Sequence, residues 1–268
     1  MTEIFGSGFF AAAAWACLLS SILCGVMGTF VVVKRINFLS GGISHAAFGG
    51  LGVSFYFGFP PFYGAMIAGL IASSLITVVN QKFKEREDAL IGAIWALGMA
   101  IGIFFVFLSN RYAGDLFSFL FGDILLTSQT DLILLALITA VVCILAMLFF
   151  RPLQAITFDE EYAKLLNLPV RWLYWLLFTL VAISVVALIK VVGAILVVAL
   201  LAIPAASANI ITKSLRGMMV VATVFSLIAT LSGTVTSFIW NLPPTPMIVF
   251  FAIGLYAITI GVSRIIKR

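Results

Sequence analysis

The sequence predicts an all-α membrane protein of about nine transmembrane helices, one domain over 1–268, and three observations carry that expectation. Hydrophobic residues make up 63% of the chain and charged ones only 9%, and the mean hydropathy is +1.25. Soluble domains carry roughly 25% charged residues. The apolar residues also fall in blocks near the roughly 20 residues that a helix needs to cross a bilayer. Finally, lysine and arginine are sorted between loops. With the first segment entering from outside, Lys34, Arg35, Lys82, Lys84, Arg86, Arg151, Lys164, Arg171, Lys213, Arg216, Arg264, Lys267 and Arg268 fall on one side, and only Arg111 and Lys190 on the other, a 13 to 2 split. Basic residues in short loops mark the cytoplasmic face. The N-terminus is therefore expected outside, the C-terminus in the cytoplasm, and the number of spans odd. The net charge of +5 is absorbed by this sorting and implies no nucleic-acid partner.

The first segment, Phe9 to Val33, follows Met1 to Gly8, which carries Glu3 and no lysine or arginine. It lacks the basic region of a cleaved secretory signal, so the first helix is expected to be retained. Cys17 and Cys24 lie seven apart on one face of it, and Cys143 lies in a later span. Three cysteines inside apolar segments read as small packing residues, not as a metal pair or a disulfide framework. Ile43 to Gly58, Pro60 to Asn80 and Ala89 to Ser109 follow as the next three spans.

Tyr112 to Asp131 holds Asp115, Asp123 and Asp131 around an apolar run, Leu116 to Leu126, of eleven residues. That is too short to cross, so an external re-entrant or interfacial piece is expected. Leu132 to Phe150 is the fifth span. Trp172 to Ile211 is a 40-residue apolar stretch interrupted only at Lys190 and Gly193. It fits two helices, Trp172 to Ile189 and Val192 to Ile211, joined by a tight external turn. Pro204 lies within the second, where it removes a backbone hydrogen bond. Met218 to Trp240 and Met247 to Val262 complete the nine. The loops hold at most about twenty residues each, far short of an independent catalytic or nucleotide-binding domain.

The largest basic-side connection, Arg151 to Arg171, reads as a short amphipathic helix over about 157–168. Thr157 with Glu160 three residues on makes a capping box. Asp159, Glu160 and Glu161 suit the positive end of the helix dipole and Lys164 the negative end. Phe158, Tyr162, Leu165 and Leu166 share a face, Asn167 can adopt the left-handed closing conformation, and Pro169 prevents continuation. An apolar face on a helix too short to span needs a cover, either the ends of the chain's own spans or a partner.

The only histidine, His45, lies in Ser40-Gly41-Gly42-Ile43-Ser44-His45-Ala46. An imidazole within a membrane helix is costly without partners or a wet cavity, so it marks a candidate pathway or site. Gly41, Gly49 and Gly52 share its stripe, and Gly42, Ala46 and Gly50 form a small-residue pattern that permits close helix approach. No acidic residue falls within a clear span, and a structural zinc site wants four ligands, which one chain cannot supply at this depth.

The run Lys34-Arg35-Ile36-Asn37-Phe38-Leu39-Ser40-Gly41-Gly42-Ile43-Ser44-His45-Ala46, the Leu-Phe-Gly-Asp-Ile-Leu within Leu120 to Leu126, Phe158 to Leu168, Val192-Gly193-Ala194-Ile195-Leu196-Val197, and Leu201-Ala202-Ile203-Pro204-Ala205-Ala206 resemble, in order, the permease subunits of bacterial ABC importers for zinc, manganese and iron. The resemblance covers nearly the whole chain. It implies the all-helical fold of the larger importers for cobalamin and siderophores. It also implies a second permease copy, read as a homodimer, a cytoplasmic ATPase dimer, an extracytoplasmic metal-binding protein and a bacterial inner-membrane location among lipid. By the same likeness Phe158, Asp159, Glu160, Glu161, Tyr162, Ala163, Lys164, Leu165 and Leu166 form the helix that couples to the ATPase. Gly41, Ser44, His45 and Gly49 are assigned to the translocation path, with His45 a transient metal ligand. The family's Gly-Asp-Ala-Ile-Ser-His stands here as Ser40-Gly41-Gly42-Ile43-Ser44-His45, with Gly41 in the aspartate position.

Three readings of His45 stay open: a packing residue bonded to a carbonyl or serine, a weak ligand paired with its counterpart in a second copy, or a proton-relay or gating residue. A weak ligand suits an ion that must leave as readily as it enters. The phosphate-cradling Gly-x-x-x-x-Gly-Lys-Ser/Thr pattern is absent, so any ATP is bound by another polypeptide. Adjacent Ser44 and His45 point about 100° apart on a helix and form no nucleophile and base pair. The expectation is a permease subunit, not an enzyme and without a stably bound cofactor, that imports a divalent transition metal. Zinc comes first because imidazole suits it, with manganese and iron as alternatives. A stand-alone secondary transporter or channel for a cation is the runner-up; such proteins often carry intramembrane acids and repeated halves, and neither is evident here.

Overall fold

The computed structural model describes residues 8–82, 87–109, 119–122 and 124–266, and helices make up almost all of them. In chain order they are α1 (Gly8–Val33), α2 (Asn37–Phe57), α3 (Pro61–Lys82), α4 (Glu87–Leu108), α5 (Gln129–Leu148), α6 (Phe150–Phe158), α7 (Glu160–Leu165), α8 (Val170–Val192), α9 (Ala194–Ile211), α10 (Leu215–Trp240) and α11 (Pro244–Ile266). Among the described residues nine helices have at least 18 residues, one for each expected span, and eight of the nine are both long and apolar enough to cross a membrane.

The ninth, α2, is 21 residues long but carries five glycines, three serines and His45. It begins six residues before the expected Ile43, because the polar run Asn37 to Gly42 is helical too. Each glycine costs a helix about 1 kcal/mol relative to alanine. Close packing offsets this, since the missing side chains let neighbouring backbones touch α2 and gain van der Waals contact. His45 consequently lies eight residues into α2, about 12 Å along its axis at 1.5 Å per residue. It is near the middle of the helix, not close to its start.

α1 and α8 form the buried centre, where Met27, Phe30, Leu177, Phe178 and Val181 are fully enclosed. α4, α5 and α11 are peripheral and turn apolar side chains outward: Phe107, Ile144 and Phe250 are all exposed. An outer surface of this kind matches lipid, not water. Inside, hydroxyls find nearby carbonyls. Ser44 donates to Ser40 O at 2.8 Å, Ser54 to Gly50 O at 2.9 Å and Ser184 to Leu180 O at 2.7 Å. Between helices, Ser21 bonds Thr230 at 3.1 Å and Cys17 Sγ lies 3.5 Å from Thr234. Cys17 and Cys24 are buried in the core, as their packing role required.

One end of the bundle gathers the basic connections. Lys34 Nζ donates to Ile156 O at 2.9 Å, Gln81 Nε2 to Arg171 O at 3.2 Å, and the Arg216 guanidinium lies over the Phe150 ring. At the other end lies the apolar run after α4. Its described part is a helical turn at 119–121 and a 3-10 turn, Ile124–Leu126, with Ile124 buried. Asp131, expected in this loop, instead lies in the first turn of α5, which starts at Gln129 because Ser128 caps it by accepting from Asp131 N at 3.2 Å. Asp131 forms an ion pair with Lys190.

Gly193 joins α8 to α9 at φ 83°, and Gly122 of the short segment has φ 62°. Each glycine's backbone abuts the other's, so a Cβ on either would overlap main-chain atoms. Thr245 at the start of α11 adds a hydrogen bond to Phe121 O. Glu3, Lys84, Arg86, Arg111, Asp115, Asp123, Lys267 and Arg268, which entered the sequence reading, lie outside the described residues.

Candidate functional site

α2 and α4 run parallel and meet along a seam of small residues. A Cβ on Gly42 would stand 2.8 Å from Ile91, one on Gly49 would stand 2.8 Å from Gly98 O, and Gly52 lies against Gly102. His45 sits within this seam with its imidazole stacked on the Trp95 indole, ring centroids 4.2 Å apart and planes at 16°. The same indole covers Gly41, one turn earlier, where a Cβ would stand 2.8 Å from Trp95 Cζ3. His45 Nδ1 is buried and meets no hydrogen-bond partner among the described residues. Ser44 does not reach it, because its hydroxyl is taken by Ser40 O and its side chain is buried.

The four residues assigned to a path therefore share α2 but differ in surroundings. Gly41 lies under Trp95, His45 beside it and Ser44 in the interior. Gly49, with Ala46 and Gly50, floors an apolar groove of about 230 Å³ flanked by α3 and α4. No group of three histidine, cysteine or acidic side chains able to hold a metal occurs among the described residues. Among the described residues this seam thus offers one imidazole as a metal donor.

The second candidate region is the basic-end elbow. The chain forms two short helices, α6 and α7, where one amphipathic helix was expected. The break falls at Asp159, whose extended backbone and Oδ1, accepting from Tyr162 N at 3.0 Å, cap α7. The expected Thr157 capping box does not form. Thr157 is buried inside α6 and donates to Leu153 O at 2.7 Å. Phe158 accordingly ends α6. Asn167 does close α7 in the left-handed conformation, φ 54°, with Leu168 N returning to Ala163 O at 3.1 Å and Asn167 N to Lys164 O at 2.9 Å.

α7 rests on Ala163, which is fully buried, and turns Tyr162, Leu165 and Leu166 outward, with Leu165 80% exposed. Phe158 extends the same apolar surface and borders a cleft of about 250 Å³ lined by Arg35, Thr212, Lys213 and Ser214. The charged residues brace the helix from the side. Lys164 lies 3.0 Å from Glu160 and 2.9 Å from Glu161, and Glu161 first, then Glu160, holds its ammonium above the ordinary lysine pKa. Tyr174 donates to Glu160 Oε2 at 3.0 Å, and Lys34 stands 4.9 Å over the Tyr174 ring. A chain of contacts therefore links α7 to the loop that leads into α2.

Sequence reasoning missed Trp95, Lys34 and Tyr174. An aromatic on an apolar helix gives no sign of what it touches. The single helix α3, which returns the chain so that α4 runs beside α2, was the one available hint. Lys34 was read for topology alone.

The family model described as "ABC 3 transport family" matches residues 7–263. A "Probable metal transport system membrane protein" of Chlamydia pneumoniae is 36% identical over 239 residues, 87% of this chain and 82% of the relative. The "Manganese transport system membrane protein MntC" of Halalkalibacterium halodurans is 34% identical over 243 residues, 91% of this chain and 83% of the relative. Among solved structures, PsaBC from Streptococcus pneumoniae in complex with Fab superposes with a TM-score of 0.86 at 30% identity, covering 97% of this chain and 95% of the other.

Proposed function

The chain belongs to the ABC 3 transport family as a multi-pass permease subunit of a metal transporter in the bacterial inner membrane, and from that premise we propose that it imports zinc, driven by a separate ATPase that docks on α7. The observation that carries the coupling half is the elbow itself: a six-residue helix, anchored by Ala163 and braced by its own charges, that presents Tyr162, Leu165 and Leu166 uncovered on the basic end. By the positive-inside rule that end is cytoplasmic. A second copy of the chain, facing this one across a two-fold axis, would bring two His45 side chains to one passage, and an extracytoplasmic metal-binding protein would deliver the ion at the opposite end.

Zinc is favoured by the donors. His45 offers imidazole nitrogen and position 41 offers nothing, whereas manganese prefers carboxylate and other oxygen ligands. The manganese reading is favoured by the names of relatives, three of which, that of Halalkalibacterium halodurans among them, read manganese transport. Uptake of radioactive zinc into vesicles that contain the whole complex, with manganese and iron as competitors, decides between them. Zinc uptake that requires ATP and resists an excess of manganese is expected. Manganese uptake that zinc fails to displace would reverse the choice, and flux without ATP would move the chain to the stand-alone transporters.

A further inference from the structure

Resting on the reading of the chain as a metal permease, we propose that Trp95 closes position 41 to a second ligand: its indole fills the space one turn before His45, so that an acid placed at 41 joins the imidazole on an ion only once the ring is removed. On a helix, positions four apart share a face, and a side chain at 41 is the one best placed on α2 to bind the same ion as His45. That position is closed. A Cβ on Gly41 would lie 2.8 Å from Trp95 Cζ3, inside any real contact distance, and the ring is held there by its stack on His45.

The backbone that carries Trp95 cannot retreat. Gly98, one turn on, lies against the carbonyl of His45, and Ile91, one turn before, lies against Gly42. Relief can come only from rotation of the indole about its own bonds, which would break the stack. Positions 41 and 95 are therefore a coupled pair: a side chain at 41 requires the indole at 95 to move. The half-buried ring also fixes the plane of the imidazole, which limits the directions from which an ion can approach its nitrogens. A ring that merely packed α2 on α4 would affect all metals alike. A ring that closes position 41 decides whether an acid placed there changes the ratio between them.

The test reconstitutes the complete transporter in proteoliposomes with wild type, Gly41→Asp, Trp95→Ala and the Gly41→Asp/Trp95→Ala double variant, and measures zinc uptake with manganese as competitor. Trp95→Ala alone should retain the wild-type preference for zinc, because no carboxylate is added. Gly41→Asp alone should lower uptake about tenfold, the usual scale for disturbing a ligand's supporting contacts. The double variant should recover uptake, with manganese competing about tenfold better than in wild type, since an oxygen donor now joins the nitrogen. Gly41→Asp/Trp95→Phe, which retains a smaller ring, should fall between the two. Wild-type uptake by Gly41→Asp, or a double variant no better than the single one in amount folded, in uptake and in metal ratio, would overturn the assignment. A wild-type complex that moves no metal would instead overturn the permease reading on which the assignment rests.

Discussion

Gly122 and Gly193 show how much structure two residues can carry. Both have positive φ, which costs any other L-residue about 1–2 kcal/mol, and each fills the space where the other's Cβ would go. Gly122→Ala and Gly193→Ala are each expected to lower the melting temperature in detergent, and the double variant should cost less than the sum, because both remove one contact. Additive losses would mean that the two strains are independent. His45 differs, since nothing in the fold depends on its hydrogen bonds: Nδ1 has no partner among the described residues. His45→Ala should therefore reduce metal uptake while expression and melting stay near wild type, and normal uptake would return the imidazole to a packing role. His45 was legible from the sequence because one histidine on an apolar helix is costly. Trp95 was not, because its meaning depends on the α2 and α4 register, which no local pattern displays.

For the elements, α7 makes the sharpest claim. Leu165 is almost free of contacts within the chain, so Leu165→Asp should change stability by no more than about 0.5 kcal/mol, as exposed positions do, yet it should uncouple ATP hydrolysis from transport. Unchanged ions moved per ATP would remove α7 from the coupling surface. Lys34→Met deletes the bond to Ile156 O and the contact with Tyr174. A loss of about 1 kcal/mol is expected, the net worth of one such bond, with reduced coupling that Lys34→Arg partly restores. Lys164 gives a pH expectation with a definite sign. Its pKa is raised in the folded chain, so its contribution is complete below the ordinary lysine value of about 10.4 and fades only as pH rises beyond it. Coupling should show no pH dependence arising from Lys164 between about pH 6 and 8. The sequence pointed to Thr157 as the cap of this helix and placed Asp159 in its first turn. Burial decided between them: Thr157 faces inward and satisfies itself on Leu153 O, which leaves the exposed Asp159 to bond Tyr162 N.

Across the whole molecule, the number and order of the long helices were legible because each bilayer crossing requires its own apolar block, and each of the nine blocks became a helix, eight of them apolar enough to cross. What remained hidden was the helix with the least apolar character. The N-terminal third of α2 reads as a polar loop, yet it is helical because α4 covers its glycines and neighbouring helices bury Leu39 and Ile43. Tertiary contact overrode propensity there, and it moved His45 from the edge of a span toward its centre. The alternation that nine crossings would give has a consequence that can be measured. Single cysteines introduced at Leu165 and at Leu126, both exposed and at opposite ends of the bundle, should be labelled by a membrane-impermeant maleimide from opposite sides, Leu126→Cys in intact cells and Leu165→Cys only in inverted vesicles. The reverse result would place α7 outside, where no ATPase can reach it, and would remove both the inward direction of transport and its energy source. Labelling in the expected sense, together with recovery of an ATPase subunit when the chain is purified from native membranes, would join the basic end, the uncovered helix and the energy source at one surface.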